Sequence, residues 1–149
     1  MAIWFRTHLR GIPVRAKTIQ RVTQAILIQA GSPTAELSVS LVGKTRMRSL
    51  NRKYRGRDYP TDVLAFPMES IGEQAEVFLG DVVICLPVAI QQASRFENTP
   101  DQEILRLLIH GTLHLLGYDH EHSPQEAARM QRKENAIIKK LSPIPRLLA

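Results

Sequence analysis

Cysteine is almost missing from the chain: Cys85 alone stands in 149 residues, inside the apolar run 82–86. No disulfide can form within the chain, and the thiol reads as a small buried hydrophobe. A reducing compartment suits it, and a cytoplasmic protein is expected. Long hydrophobic runs are missing too. Nothing approaches the roughly 18 uncharged apolar residues of a membrane span, and the opening MAIWFRTHLR has no apolar centre of signal-peptide length. No membrane partner is expected. Repeats, low-complexity tracts and long linkers are also absent. With 44% hydrophobic residues, residues 1–149 read as a single domain able to bury its own core.

A local absence is more telling. No acid occurs between Glu36 and Asp58, while Lys44, Arg46, Arg48, Arg52, Lys53, Arg55 and Arg57 crowd into residues 44–57. The excess of 20 Lys and Arg over 14 Asp and Glu is concentrated here. Such a block is a footprint for phosphate or, more plainly, a solvated helix face on a basic protein. A phosphate-binding P-loop is excluded, although Gly43-Lys44-Thr45 has the look of its last three residues. The pattern needs a glycine where Ser38 stands, inside a strand that continues to Val42.

The remaining chain alternates strand and helix signals. Ile3 and Phe5 alternate with polar neighbours, and Ile19, Val22, Ala25, Ile26 and Gln29 trace a helix that stops at Gly31. Residues 36–42 form a second strand, and Met47, Leu50 and Tyr54 mark the apolar side of a helix over 44–55. Strands follow at 63–66 and 77–85, with a helix from Pro87 to about Phe96. Thr99-Pro100-Asp101-Gln102 is a capping box with proline at the first helical position, so a helix is predicted over 100–116. Ser123-Pro124-Gln125-Glu126 repeats the grammar and opens a last helix to about residue 140. The expected class is α+β: a small mixed sheet of about four strands packed with about five helices, with a metal site at the end of a central helix.

That metal site rests on His110-Gly-Thr-Leu-His-Leu-Leu-Gly-Tyr-Asp-His120, which holds three of the five histidines. His110 and His114, four residues apart, stack on one helical face. Gly117 ends the helix in a conformation that turns the chain and can bring His120 to the same point. Three imidazoles on zinc leave a fourth position open for water, whose pKa can fall to about 7. A closed structural site would need a fourth ligand, and His122 would have to bend back to supply it. His8 and His122 taken alone read as ordinary histidines.

The spacing also fits the zinc-peptidase pattern H-E-x-x-H-x-x-G-x-x-H, with Gly111 in place of its glutamate base. A peptidase would need a base from elsewhere, such as Asp119 or Glu121. Gly111 itself makes room either for substrate or for close helix packing.

Taken with the segment Tyr54-Arg-Gly-Arg-Asp-Tyr-Pro-Thr-Asp-Val-Leu-Ala-Phe-Pro67 and the strand Leu79-Gly-Asp-Val-Val-Ile-Cys85, the histidine string resembles the YbeY family of bacterial ribosomal RNA maturation factors. The resemblance implies a zinc-dependent endoribonuclease specific for single-stranded RNA, acting in 3′-end maturation of the small-subunit ribosomal RNA and in ribosome quality control, with small-subunit components as further partners. It implies one zinc on His110, His114 and His120. It makes Arg55 the functional arginine, stabilising charge as zinc-activated water attacks the phosphodiester. Arg48, Arg52, Lys53 and Arg57 become candidate RNA contacts, and Asp81 and Asp119 candidates to orient a histidine or act as base, or equally to make structural hydrogen bonds. Ala65 departs from a serine common in the family, and His122-Ser123 from the acids that often follow. A zinc peptidase-like hydrolase and a non-enzymatic ribosome assembly factor remain as alternatives.

Overall fold

The computed structural model describes residues 3–68 and 77–149. The elements run β1 (Ile3–Thr7), α1 (Ala16–Gln29), β2 (Glu36–Val42), α2 (Lys44–Arg55), β3 (Val63–Pro67), β4 (Phe78–Cys85), α3 (Leu86–Ala93), α4 (Pro100–Leu115) and α5 (Pro124–Leu141). The strands make one mixed sheet in the order β1-β2-β4-β3. β1, β2 and β4 are parallel, and β3 pairs antiparallel with β4 at one edge. This is the expected α+β class. The helix expected to reach Phe96 is shorter: α3 stops at Ala93, Ser94–Phe96 tightens to a 3₁₀ turn, and Glu97 at φ 57° reverses the chain.

Alternation along the strands divides the apolar side chains between two faces. Leu37, Val39, Leu41, Val82 and Ile84 meet Ile19, Ile26 and Leu27 of α1 and Ile104, Leu105 and Leu108 of α4 in the main core. Each such side chain stabilises the fold by about 1.5–3 kcal/mol on leaving water. On the other face, Met47 of α2 packs with Val42, Leu64, Val83 and Cys85 in a smaller cluster. Cys85 is fully buried there, and burial pushes its thiol pKa up.

α4 is the central helix. Its start is fixed by the Gln102 N–H donating to Thr99 Oγ1 at 3.1 Å and the Thr99 N–H donating to Gln102 Oε1 at 2.8 Å. Its position along the sheet is fixed by a polar cluster. Arg106 donates twice to the fully buried Glu103, at 2.8 Å each, and Gln92 of α3 donates both to Glu103 and to Asp62, the residue that leads into β3. The far end of α4 is thereby held at a set height over β3 and β4.

Candidate metal centre

Two of the three histidines lie on the last turns of α4, and the third is delivered by the way the helix ends. The Gly117 N–H donates to the His114 carbonyl and the Tyr118 N–H to the Leu113 carbonyl, both at 3.0 Å. This is a Schellman ending, which needs a left-handed residue at Gly117, here at φ 98°. Tyr118 packs against the core, and Asp119 Oδ1 accepts the Glu121 N–H at 2.8 Å, tightening the turn around His120. That bond holds the Asp119 carboxyl below its ordinary range.

The result is convergence. His110 Nε2 and His114 Nε2 lie 3.1 Å apart, and His120 Nδ1 lies 3.0 Å from His114 Nε2. Ligands at 2.0–2.1 Å on a tetrahedral ion would stand about 3.3–3.4 Å apart. Three ring nitrogens aimed at one another offer no complementary acceptor for more than a proton or two, so the donor set fits a cation. These three residues form a group that could hold a metal ion.

Protonation favours the same outcome. The His114 pKa is lowered, first by burial and then by the neighbouring His110 and His120 rings, so its neutral, ligand-competent form is preferred. His110 is oriented from behind: its Nδ1 lies 2.6 Å from Oε1 of Glu134, a nearly buried carboxylate on α5. With the proton on Nδ1 shared with Glu134, the Nε2 lone pair is left to the cluster.

The histidines sit at the floor of a pocket of about 380 Å³, with Arg55, Arg57, Asn51, Asp119 and Glu121 around it. Arg55 is half-exposed, its Nη2 3.5 Å from Glu121 Oε1. The other basic candidates divide. Arg48 donates to both Asp58 oxygens, at 2.8 and 3.0 Å, and so braces the turn after α2 rather than standing as a free cation. Asn51 helps by donating to the Tyr59 carbonyl at 2.8 Å. Arg52 and Lys53 lie on the exposed side of α2, outside the pocket, with the Lys53 ammonium 5.2 Å from the Tyr54 ring.

Asp81 does not orient a histidine and takes the other role open to it, a structural hydrogen bond: it points to the opposite face of the sheet, accepts from the Ser38 hydroxyl and lines a different hollow. Glu134 stands where that partner was sought. Residue-level reading missed it, although a signal was present: Met130, Glu134 and Ile137 form the buried stripe of α5, and an acid on such a stripe needs a partner.

Gly111 both lines the pocket and packs on the sheet. A Cβ there would lie 2.7 Å from Val82 Cγ1, 3.2 Å from Val82 Cγ2 and 3.4 Å from Val63 Cγ2. The glycine lets α4 sit close on the sheet, and a glutamate base of the peptidase kind has no room. Ala65 lines the pocket wall without a hydroxyl.

Fold and site together define a small α+β protein with a candidate three-nitrogen metal centre under an arginine-lined rim. The model of the family described as Endoribonuclease YbeY matches residues 8–142. The chain is 42% identical over 130 residues to the Endoribonuclease YbeY of a Sulfurihydrogenibium species, covering 87% of this chain and 85% of that protein. It is 40% identical over 136 residues to that of Aquifex aeolicus, with 90% and 89% covered. The chain belongs to the YbeY family. Among solved structures, the solution structure of TM1509 from Thermotoga maritima is similar with a TM-score of 0.65 and 27% identity, covering 94% of this chain and 89% of that one.

Proposed function

We propose that residues 1–149 form one zinc-dependent endoribonuclease domain that cuts single-stranded RNA in the cytoplasm. Its substrate is precursor ribosomal RNA, processed at the 3′ end of the small-subunit RNA in the course of ribosome quality control. Membership of the endoribonuclease family makes the chain an RNA-cleaving enzyme. The observation that carries the site assignment is the convergence of His110, His114 and His120 nitrogens beneath Arg55 and Arg57.

Zinc held by His110, His114 and His120 would supply a Lewis acid and would acidify a water near neutral pH. The chain's own residues do the rest. Glu134 keeps the His110 proton on Nδ1 and holds the ring in place. Arg55 and Arg57 bind the non-bridging phosphate oxygens and offset the charge that grows in the transition state. Glu121 tethers Arg55 at the rim until a phosphate displaces it, and Asp119 holds the turn that presents His120. An arginine rim suits a polyanion better than a neutral peptide, and the packing of Gly111 against Val82 removes the peptidase base. No described helix is long and apolar enough to cross a membrane.

The test is to incubate one metal-replete preparation with unstructured RNA and with a mixed peptide library, beside its His114→Ala variant. Cleavage of RNA alone, lost with His114, is expected. Peptide cleavage that disappears with His114 while RNA stays intact would overturn the assignment. RNA binding without cleavage, on RNA that includes the natural precursor, would favour an assembly factor.

A further inference from the structure

β3 is the outermost strand of the sheet and forms one wall of the histidine pocket, which Val63, Leu64, Ala65 and Pro67 all line. Residues of an antiparallel pair alternate between bonding the partner strand and pointing their backbone groups away from it. The Cys85 N–H donates to the Asp62 carbonyl at 2.8 Å and the Met68 N–H to the Leu79 carbonyl at 2.9 Å, with Leu64 opposite Val83 and Phe66 opposite Asp81 between them. Asp62, Leu64, Phe66 and Met68 therefore turn their backbone groups toward β4, and Val63, Ala65 and Pro67 turn theirs outward. Among the described residues, no strand pairs with that outer side.

The outer side is nearly stripped of donors. The Val63 N–H donates to Asp62 Oδ1 at 2.8 Å, and the same carboxylate is held by Gln92 at 2.9 Å. Pro67 has no N–H to offer. Ala65 alone presents both an N–H and a carbonyl, and neither meets a described residue. A polypeptide that adds a strand to an edge needs donors and acceptors repeating along it, so this edge suits one poorly.

A nucleobase needs only one of each. The Watson–Crick face of every base sets a donor beside an acceptor: N6–H and N1 in adenine, N1–H and O6 in guanine, N4–H and N3 in cytosine, N3–H and O4 in uracil. Any of the four can pair with Ala65, provided that no complementary strand already occupies that face. The pocket also serves the other end of a nucleotide, since Arg55 and Arg57 line it beside the histidines and suit a phosphate.

We infer that β3 holds a base next to the scissile phosphate by its Watson–Crick face, the Ala65 N–H donating to it and the Ala65 carbonyl accepting from it. The contact selects unpaired RNA and tolerates any sequence. This rests on the RNA-cleaving reading of the histidine pocket and gives that reading its means of rejecting duplexes.

Three oligoribonucleotides test it: oligouridine, the same chain in 5-methyluridine, whose methyl lies away from the Watson–Crick face, and in 3-methyluridine, whose methyl replaces the N3 proton. Zinc-loaded protein is assayed for single-turnover cleavage and, by fluorescence anisotropy, for binding. Wild type should treat the first two alike and bind and cut the third about tenfold less well, the scale of a hydrogen bond lost from a site that excludes water. Ala65→Pro removes the donor and leaves the carbonyl. An outward N–H is where an edge strand tolerates proline, and Pro67 already occupies such a place in β3. This variant should bind oligouridine about tenfold more weakly and separate the two methylated RNAs by no more than about twofold. Ala65→Ser keeps the N–H and should keep the full discrimination.

A folded, zinc-loaded Ala65→Pro that still discriminates fully overturns the inference. So does a wild type that handles 3-methyluridine like 5-methyluridine, an outcome that needs no variant and stands even if Ala65→Pro fails to fold. If all three RNAs are handled alike while a strand-forming peptide binds wild type and not Ala65→Pro, the edge belongs to a polypeptide instead. Failure of the hydrolase reading looks different: wild type cuts none of the RNAs, while the binding measurement still ranks them.

Discussion

The two ends of α4 each carry a cluster of polar side chains, and only one cluster is complete. Near the N-terminal end, the Glu103 carboxylate has no exposed surface and is surrounded by donors from Arg106, Gln92 and Asn98. The Arg106 guanidinium serves both Glu103 and, at 3.8 Å, Asp62. Near the C-terminal end, three imidazoles turn their nitrogens toward one another, with Glu134 against His110 Nδ1 at 2.6 Å and Glu121 3.8 Å from His120 Nε2. Such a set can share a proton or two among its own nitrogens, and its convergence suits a cation brought from outside. The first cluster is thus a structural clamp and the second a binding site, though both are built from titratable groups on the same helix.

Exchanging the losses breaks the comparison most sharply. His114→Ala should take the metal content from about one ion per chain to near zero, read by atomic emission, while shifting the stability of metal-free protein by only about 1 kcal/mol or less. Glu103→Ala should do the reverse. Removing the buried carboxylate to which Arg106, Gln92 and Asn98 all donate costs about 3 kcal/mol in chemical denaturation, with zinc stoichiometry retained. If Glu103→Ala were neutral to stability, or if it emptied the metal site, the division of roles between the two ends would be wrong.

A finer probe is Glu134, the carboxylate behind His110. Glu134→Gln keeps the shape but weakens the hold on the His110 Nδ1 proton, and zinc affinity measured by chelator competition should fall about 10- to 100-fold. An unchanged affinity would mean that Glu134 merely fills the core.

The smallest effect expected is a pH slope. The folded His114 pKa is depressed below its ordinary value of 6.5, so as pH falls the unfolded chain takes up its proton first. Metal-free protein should therefore lose stability as pH drops below about 6.5, down to the folded pKa, and His114→Asn should flatten part of that slope. A metal-free wild type whose melting temperature is level across this range would contradict the burial argument.

Much of this was legible because it is local. Thr99 and Ser123 announce the starts of α4 and α5, Gly117 announces the end of α4, and the four-residue spacing of His110 and His114 puts them on one face whatever lies around them. What stayed hidden depends on neighbours distant in sequence. Strand order follows from pairings such as Val39 with Val82, which no local pattern specifies. The role of Asp81 stayed open because β4 is apolar on both faces at Val82, Val83, Ile84 and Cys85, so alternation does not reveal which side it takes. Gly111 could be assigned only once Val82 was seen beneath it. The Ser38–Asp81 pair and the hollow above it needed β2 and β4 side by side.

The most direct test of the histidine end as a metal-dependent RNA-cutting centre is single-turnover cleavage of a labelled single-stranded RNA through chelation and readdition of zinc, run with wild type and with Arg55→Glu. The wild type should lose cleavage on chelation and regain it as zinc returns to about one equivalent per chain, the stoichiometry of one three-histidine site. Arg55→Glu should bind the same zinc, melt within a few degrees of wild type, and cut at a rate lower by about 100-fold or more, the scale of losing one charge-stabilising group at a reaction centre. Undiminished cleavage by chelated protein, or wild-type rates from zinc-loaded Arg55→Glu, would contradict it.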